Sequence, residues 1–496
     1  MEEEGRIVMQ LREELTGIVG PENVFDDQET LDAYARDESF AKPLKPWALA
    51  KPANNEEVQA IVQWANKRAT PLVPVSSGPP HYRGDTVPSL PGAVIVDLVR
   101  MKEIITIDRR NKLAIVEPGV TWAELIPELT KKGLTISMPL LPRRSKSVIG
   151  SLLEREPNTI PKYNWTLLEP LRCCNVIWGN GEEMWTGEAG DQKGSLEDRW
   201  GQFLYQVNPM GPHQTDFYRL LSAAQGTMGI VTRASVKCEL KPQIHKLFFV
   251  QSEKLNDLIE FSYKVLRARY GHELFILNSF NFASIIGDEN VHIAKNRDHL
   301  TRWILIIGVA GFDILPRERI AFQEKDISDM ARQCGQRLTA EIPGHEGTPM
   351  LEILNGPLND PYWKSRYKGA HHDIFFVTTL DRTVDFVNSF SVFSQENGFS
   401  TADMGIYIQP LMQGVACHCE FVLPFAPENS RETSIVKKLV ADGSQALMNQ
   451  GAFFSRPYGT WANMVYSKDA QTTEVLKKVK SIFDPNHVMN PGKLCL

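Results

Sequence analysis

Three groups of side chains in this sequence have the types and spacing to do chemistry. The first is Pro74-Val75-Ser76-Ser77-Gly78-Pro79-Pro80-His81-Tyr82-Arg83-Gly84-Asp85, which follows the apolar run Ala69-Thr70-Pro71-Leu72-Val73. Small residues and main-chain donors after a strand let a ligand's phosphates approach the backbone closely. The second is Arg456-Pro457-Tyr458-Gly459-Thr460-Trp461, which sets a cation two residues from a phenol. The third is His418-Cys419-Glu420. Residues i and i+2 of a strand share a face, so this histidine and glutamate could meet one ligand.

Other chemistries lack their motifs. There is no Gly-x-Gly-x-x-Gly after the first strand and no Gly-Lys-Ser/Thr loop, which excludes a Rossmann dehydrogenase and a nucleoside triphosphatase. No Gly-x-Ser-x-Gly elbow is present. The seven cysteines form no Cys-x-x-Cys pair, so reduced and mostly buried thiols are expected. His371 and His372 are adjacent and cannot share a helical face; no metal site is expected. The formal net charge is -6, without clustered Lys or Arg, so neither nucleic acid nor an anionic membrane is an expected partner. The longest apolar run, Trp303 to Phe312, is roughly half of a bilayer span and reads as a buried strand. The acidic start Met1-Glu2-Glu3-Glu4-Gly5 has no signal-peptide character, and a cytoplasmic protein is expected.

The elements that must position these groups follow from periodicity. A chain of 496 residues predicts two packed domains, or one with a large insertion. Trp47 to Pro52 reads as a strand. Asn55 to Asn66 reads as a helix with Val58, Ile61, Val62 and Ala65 on one face, and a second strand then enters the loop. Thr121-Trp122-Ala123-Glu124 has the form of a capping box and predicts a helix to Lys132. Residues 142–165 read as loop-rich. Cys174 to Trp178, Gly179-Asn180-Gly181-Glu182 and Met184 to Gly187 read as a hairpin. From about Lys241, strand-like runs near 247–251, 303–309, 374–378, 404–409 and 416–423 alternate with helical patterns near 253–268, 316–335, 381–397 and 428–448. That alternation predicts an α+β unit with an antiparallel sheet. A basic helix, 472–483, precedes Asp484-Pro485-Asn486 and Asn490-Pro491-Gly492-Lys493.

Five stretches in order resemble the flavoproteins of the vanillyl-alcohol oxidase / p-cresol methylhydroxylase superfamily. They are Glu57 to Asn66 with the loop 74–84; Val116-Glu117-Pro118-Gly119-Val120-Thr121; Ser147-Val148-Ile149-Gly150 through Glu154-Arg155; Met228-Gly229-Ile230-Val231-Thr232; and Asp484-Pro485 with Asn490-Pro491-Gly492-Lys493. The resemblance implies an α+β fold: a two-part FAD-binding domain of the PCMH type, residues 1–241 and 451–496, with an inserted α+β cap, 242–450. It implies FAD held by Ser76, Ser77, Gly78, Pro80, His81 and Tyr82, with Pro139, Ser147, Val148, Gly150, Ser151, Ile230, Asn490 and Lys493 along the rest of the cofactor. Proline has no N–H, so the side chains of Ser76, Ser77 and His81 are expected to share in holding it.

Within the superfamily, the 147–155 segment and Tyr82 resemble the phenol-oxidising branch (4-cresol dehydrogenase, vanillyl-alcohol oxidase). There, tyrosines and an arginine bind a phenolate, and a hydride leaves a benzylic carbon for flavin N5. The resemblance implies those roles for Tyr458 and Tyr82, with Arg456 as the candidate arginine and His418 as the candidate proton acceptor. Two positions depart: Gly459 follows Tyr458 where an arginine is usual, and Tyr163-Asn164-Trp165 lacks the expected acid. The glycolate and D-lactate dehydrogenase branch is the alternative, with His418-Cys419-Glu420 as a fragment of its cap site. His418 stays open among substrate or base residue, flavin link and core histidine; a flavin link through His81 is also open. The resemblance implies a small-molecule substrate, an electron-acceptor protein subunit as one route for the electrons, and a homo-oligomer.

Overall fold

The computed structural model describes residues 2–162, 169–190, 198, 201–203, 211, 215, 217–287, 289–342 and 345–496. Strands β1 (Val24–Phe25), β2 (Ala48–Ala50), β3 (Leu72–Val75) and β4 (Val94–Asp97) form a sheet in the order β1-β2-β4-β3. β2 and β3 both run parallel to β4. The helix Asn55–Arg68 crosses between β2 and β3; the Asn54 side chain caps it by accepting from the Glu57 N–H. Its predicted face, Val58, Ile61, Val62 and Ala65, is buried. The crossover leaves the loop after β3 at the carboxyl end of a parallel sheet, where α/β folds place ligands.

A second, antiparallel sheet packs beside the first. Its strands are β5 (Ile104–Asp108), β6 (Leu113–Val116), β8 (Leu171–Trp178), β9 (Glu183–Trp185) and β10 (Gly229–Lys237), in the order β5-β6-β10-β8-β9. The two-residue strands β7 (Leu134–Thr135) and β11 (Glu239–Leu240) pair at its margin. The helix Trp122–Lys131 begins at the predicted capping box, with both reciprocal bonds of Thr121 and Glu124 present. The 142–165 stretch contains the helix Val148–Leu153, capped by Ser147. Its Leu-Leu pair favours a helix, but β-branched Val148 and Ile149, Gly150, and the proline and basic residues on its flanks mask the period in the sequence.

A six-stranded antiparallel sheet spans the middle of the chain. It comprises β12 (Ile244–Ser252), β13 (Leu274–Asn278), β14 (Trp303–Gly311), β17 (Ala370–Thr378), β18 (Gly405–Leu411) and β19 (Ala416–Phe425), in the order β12-β14-β13-β18-β19-β17. A small hairpin, β15 (Glu341–Ile342) with β16 (His345–Glu346), lies outside it. Alternation divides the strands between two cores. Phe248, Val250, Leu305, Ile307 and Phe376 pack under helices that include Leu255–Arg267 and Thr383–Glu396. Leu247, Phe249, Phe275, Leu277 and Tyr407 face the other way and meet Leu140 and Leu141 of the first part of the chain. The fold is therefore α+β, with long helices on one face of the large sheet, and a cavity-bearing seam together with the helix Ser279–Ile286 on the other. The sequence pattern does not predict strand β13, because Leu274 to Ile286 is a long, largely apolar stretch; Asn278 divides it by capping the helix Ser279–Ile286.

The carboxyl-terminal segment returns to the first sheet. Leu72 N–H donates to the Val488 carbonyl at 2.7 Å, and Asn490 N–H donates to the Leu72 carbonyl at 2.8 Å, which extends the sheet beyond β3. A buried clamp holds this return. The Lys480 ammonium bonds the Asp484 carboxylate and the Thr227 carbonyl, and donates to the Met489 carbonyl at 3.0 Å. Asp484 in turn accepts from the Val488 and Met489 N–H groups at 3.0 and 2.9 Å. Removing one member of a buried pair strands the other charge, so Lys480→Met is expected to cost about 3–5 kcal/mol. Urea denaturation of the variant against the wild type checks this.

Candidate active site

The loop after β3 is anchored from behind. Gly78 N–H donates to the Ser145 carbonyl at 2.9 Å, and the Arg143 guanidinium donates to the Gly78 carbonyl at 3.0 Å. Ser77 Oγ accepts from the Ser147 N–H at 3.0 Å. Gly84 adopts φ +74° and its N–H donates to Asp37 Oδ2 at 2.6 Å. A side chain at Gly84 would come within 2.9 Å of Ala41 Cβ, so glycine is needed there for both torsion and space. The tail completes the anchoring. Lys493 Nζ donates to the Gly84 and Val87 carbonyls, both at 2.7 Å, and Asn490 Nδ2 donates to the Asp85 and Gln225 carbonyls at 2.9 and 2.7 Å.

The free edge of the loop borders two cavities. One, of about 760 Å³, has apolar walls from Leu98, Pro118, Ile149 and Ile230. The other, of about 1040 Å³, lies beneath the large sheet and is walled by Tyr82, Tyr362, Trp363 and Tyr407. Pro74, Val75, Ser76, Asp85 and Glu154 line both, so the two form one elongated space. A third cavity, of about 1220 Å³, reaches Tyr82 and Arg83 from the side of Lys493 and Tyr458.

Strand register gathers charge at the roof of the larger cavity. β17 and β19 pair with Phe375 opposite Glu420, and β18 sets Tyr407 beside Glu420. Lys364, on a short helical turn before β17, donates to Asp373 Oδ2 at 2.9 Å and bonds the Glu420 carboxylate. Arg83 lies 3.5 Å from the same Asp373 oxygen. Burial raises the Glu420 carboxyl, but the Lys364 ammonium and the His418 hydrogen bond outweigh it and hold it well below the usual range. Burial likewise lowers Arg83 and Lys364, and the facing carboxylates reverse the shift, so both stay protonated. These two cations and two carboxylates balance one another. Arg456 is 3% exposed, stacks 4.0 Å from the Phe375 ring centroid and lines the cavity; it makes no ion pair or hydrogen bond among the described residues, and the Glu156 and Glu420 carboxylates act on its charge from a distance. Deeper toward the junction, Lys146 bonds Glu154 and lies 3.9 Å from Glu156.

The residues expected from the sequence divide between wall and support. Ser76, Ser77, His81, Tyr82, Pro139 and Arg456 line the larger cavity, and Gly150, Ile230 and Tyr458 line the narrower one. The Tyr458 hydroxyl and His81 Nε2 are buried without a partner among the described residues. Burial, with Arg143 and Lys146 nearby, pushes the His81 imidazole down to about 3, so it stands neutral. Pro80 is exposed at the turn of the loop, and Gly78 packs on Ser145. Val148 lies in the hydrophobic core; Ser147 caps its helix and donates to the Pro118 carbonyl, and Ser151 accepts from Trp122 Nε1 at 3.0 Å. Asn490 and Lys493 tie the tail to the loop. His418 sits behind Glu420 with Nε2 3.3 Å from Oε2, and burial pulls its imidazole down. Tyr163-Asn164-Trp165 lie outside the described residues. Arg83, Glu156, Lys364, Trp363 and Asp373 carry no signal in the sequence that singles them out.

This space fits an extended dinucleotide carrying a flavin. One end is apolar apart from the Tyr458 hydroxyl, the middle has the Ser76 hydroxyl, and the far end has charged and polar groups beneath aromatic walls. Gly150 keeps the middle open, since a Cβ there would lie 3.1 Å from Ser76 Oγ. Comparison with known proteins gives the same class. The family described as FAD binding domain matches residues 46–156, and FAD linked oxidases, C-terminal domain, matches 460–494. The chain thus carries an FAD-binding domain and a segment like the C-terminal domain of FAD linked oxidases.

Particular relatives differ in substrate. The chain is 27% identical to the D-2-hydroxyglutarate dehydrogenase of Stutzerimonas stutzeri over 493 residues, 98% of each protein. It is 26% identical to the 4-cresol dehydrogenase (hydroxylating) flavoprotein subunit of Pseudomonas putida over 250 residues, 49% of this chain and 45% of that one. Several such matches span only 40% to 49% of the curated relatives' own length. The fold of p-cresol methylhydroxylase, solved with substrate bound, superposes with a TM-score of 0.82 at 17% identity over 98% of this chain and 96% of that one. Among the described residues no helix is long and apolar enough to cross a membrane.

Two predictions test the placement of the cofactor. Gly150→Val is expected to yield folded, colourless protein; stoichiometric flavin in the purified variant would move the cofactor elsewhere. Burial raises the Asp85 carboxyl, toward the neutral form that can donate to an anion. As pH rises through that raised value, Asp85 ionises and repels a bound pyrophosphate. FAD retention should therefore fall from acid to mildly alkaline buffer in the wild type and hold level in Asp85→Asn, read as flavin released on dialysis.

Proposed function

We propose that this enzyme oxidises a phenolic or benzylic substrate bound as an anion beneath the large sheet. Arg456 carries the reading. Arg456 is buried, makes no hydrogen bond or ion pair among the described residues, and faces the cavity among aromatic walls with Glu156 and Glu420 acting on its charge only through space. A phenolate would satisfy its charge while its ring stacks among Tyr82, Tyr362, Trp363 and Tyr407. Bound in the elongated space, FAD supplies the hydride acceptor.

The protein's own residues bind and orient. Arg83 and Arg456 flank Phe375, at 4.4 and 4.0 Å from its centroid, and form a fixed positive field for the substrate oxygen. The Tyr458 hydroxyl, pushed far up by burial, stays protonated and can donate to that oxygen. Glu420, Asp373 and Lys364 hold this field rigid, and His418 steadies Glu420. Glu156, in the cavity wall, stands as the carboxylate for a substrate hydroxyl proton. It takes the role that Tyr163-Asn164-Trp165 does not supply. Ser76, Ser77 and Tyr82 hold the cofactor side of the loop.

The full-length match to a D-2-hydroxyglutarate dehydrogenase favours a second reading, in which Arg456 receives the carboxylate of a 2-hydroxy acid. The name of the 4-cresol relative, a flavoprotein subunit, supports passage of electrons to a separate acceptor chain, which copurification tests. Anaerobic bleaching of the flavin by para-alkylphenols, benzylic alcohols and 2-hydroxy acids separates the two substrate classes. Bleaching by phenols is expected, and bleaching by hydroxy acids alone would overturn the proposal. Arg456→Met should keep its flavin and lose about 10- to 100-fold in kcat/KM, the scale of a hydrogen bond to a charged group. Unchanged kcat/KM would remove Arg456 from substrate binding.

A further inference from the structure

A second cluster lies at the far margin of the large sheet and lines none of the three cavities. His245 is near the start of β12, and His272 and Glu273 immediately precede β13. β14 runs between those strands, so the three side chains converge across it on the face that looks toward the first part of the chain. Glu273 Oε2 lies 2.8 Å from His245 Nε2, and its Oε1 lies 3.8 Å from His272 Nε2. One carboxylate thus meets two imidazoles, one at each oxygen. The two rings stand edge-on, with centroids 5.3 Å apart at 82°.

The backbone makes room for this arrangement. Gly308 lies mid-strand on β14, where a side chain would be expected in a buried sheet. A Cβ there would come within 1.7 Å of Glu273 Oε2. Gly308 N–H donates to the Glu273 carbonyl at 2.9 Å and its carbonyl accepts from the His272 N–H at 2.7 Å, which fixes both residues against the strand. The side chains of His245, His272 and Glu273 are 14%, 10% and 11% exposed, so solvent reaches the cluster.

We propose that His245, His272 and Glu273 form a Zn²⁺ site with a solvent molecule in the fourth position. Two imidazole nitrogens and one carboxylate oxygen suit Zn²⁺. Their ligand atoms all lie within 4.8 Å of one another. Tetrahedral bonds of about 2.0–2.2 Å set ligand atoms about 3.4 Å apart, so the cluster closes on an ion through small side-chain shifts. The ion would clip edge strand β12 to β13 across β14. It would do so beside the seam where Leu274 N–H donates to the Thr159 carbonyl at 3.1 Å. His245 and Glu273 are 28 residues apart, which is why no metal motif is legible in the sequence.

The test uses the full-length, FAD-loaded protein, dialysed against Zn²⁺ and then against metal-free buffer. Elemental analysis is expected to find one zinc per chain in the wild type and none in His245→Gln or His272→Gln, with flavin content unchanged in both. Added Zn²⁺ should raise the Tm of chelator-treated wild type and leave that of His245→Gln unmoved. No zinc retained by the wild type, or equal zinc in wild type and His245→Gln, would overturn the site. If His272→Gln fails to fold, the His245→Gln comparison decides alone.

Discussion

The loop after β3 faces the cavities because the carboxyl-terminal tail holds its far end. Val488 and Asn490 bond to both sides of Leu72, at the start of β3, and Lys493 and Asn490 grip the carbonyls of Gly84, Asp85 and Val87. The Lys480–Asp484 clamp fixes the tail itself. More than 400 residues separate the partners in these loop contacts, so the site assembles only when both chain ends have found each other. Proline at 79 and 80 leaves the loop with fewer N–H donors than a glycine-rich loop. Its shape comes instead from Ser145, Arg143 and Ser147 behind it.

Above the loop, the large sheet supplies a paired lattice of charge. Lys364 and Arg83 neutralise Asp373 and Glu420, and burial of Lys364 and both carboxylates makes that pairing obligatory. The remaining guanidinium, Arg456, is a preorganised positive group in a space walled by aromatic rings. Such a group gains most by meeting an anion there, because the desolvation of the cation has already occurred on folding.

Much of the architecture was legible in the sequence. The 3.6-residue period of 55–66, the reciprocal pair Thr121 and Glu124, and the turn at Gly179-Asn180-Gly181-Glu182 each specify their element through local contacts. The loop 74–85 was legible because its residue types are unusual after a strand. The charge lattice was not. Lys364, Asp373 and Glu420 come together through the register of β17 with β19, and Arg83 joins them from the loop after β3; no local spacing encodes that. His418 and Glu420 share one strand face, as their spacing predicts, yet their neighbourhood turns the pair toward Lys364, so Glu420 reaches the cavity wall and His418 stands behind it. The helix Val148–Leu153 had a signal in Ser147 followed by paired apolar residues, obscured by its proline-rich, basic approach.

We propose above all that the cavity beneath the large sheet binds its substrate as an anion at Arg456. The most direct measurement is ultraviolet difference spectroscopy of a non-oxidisable para-substituted phenol titrated into the FAD-loaded enzyme at a pH well below the phenol's own pKa. The absorption of the phenolate is expected in the bound state, with its loss in Arg456→Met. A bound phenol that remains neutral, or phenolate absorption unchanged by that substitution, would contradict it.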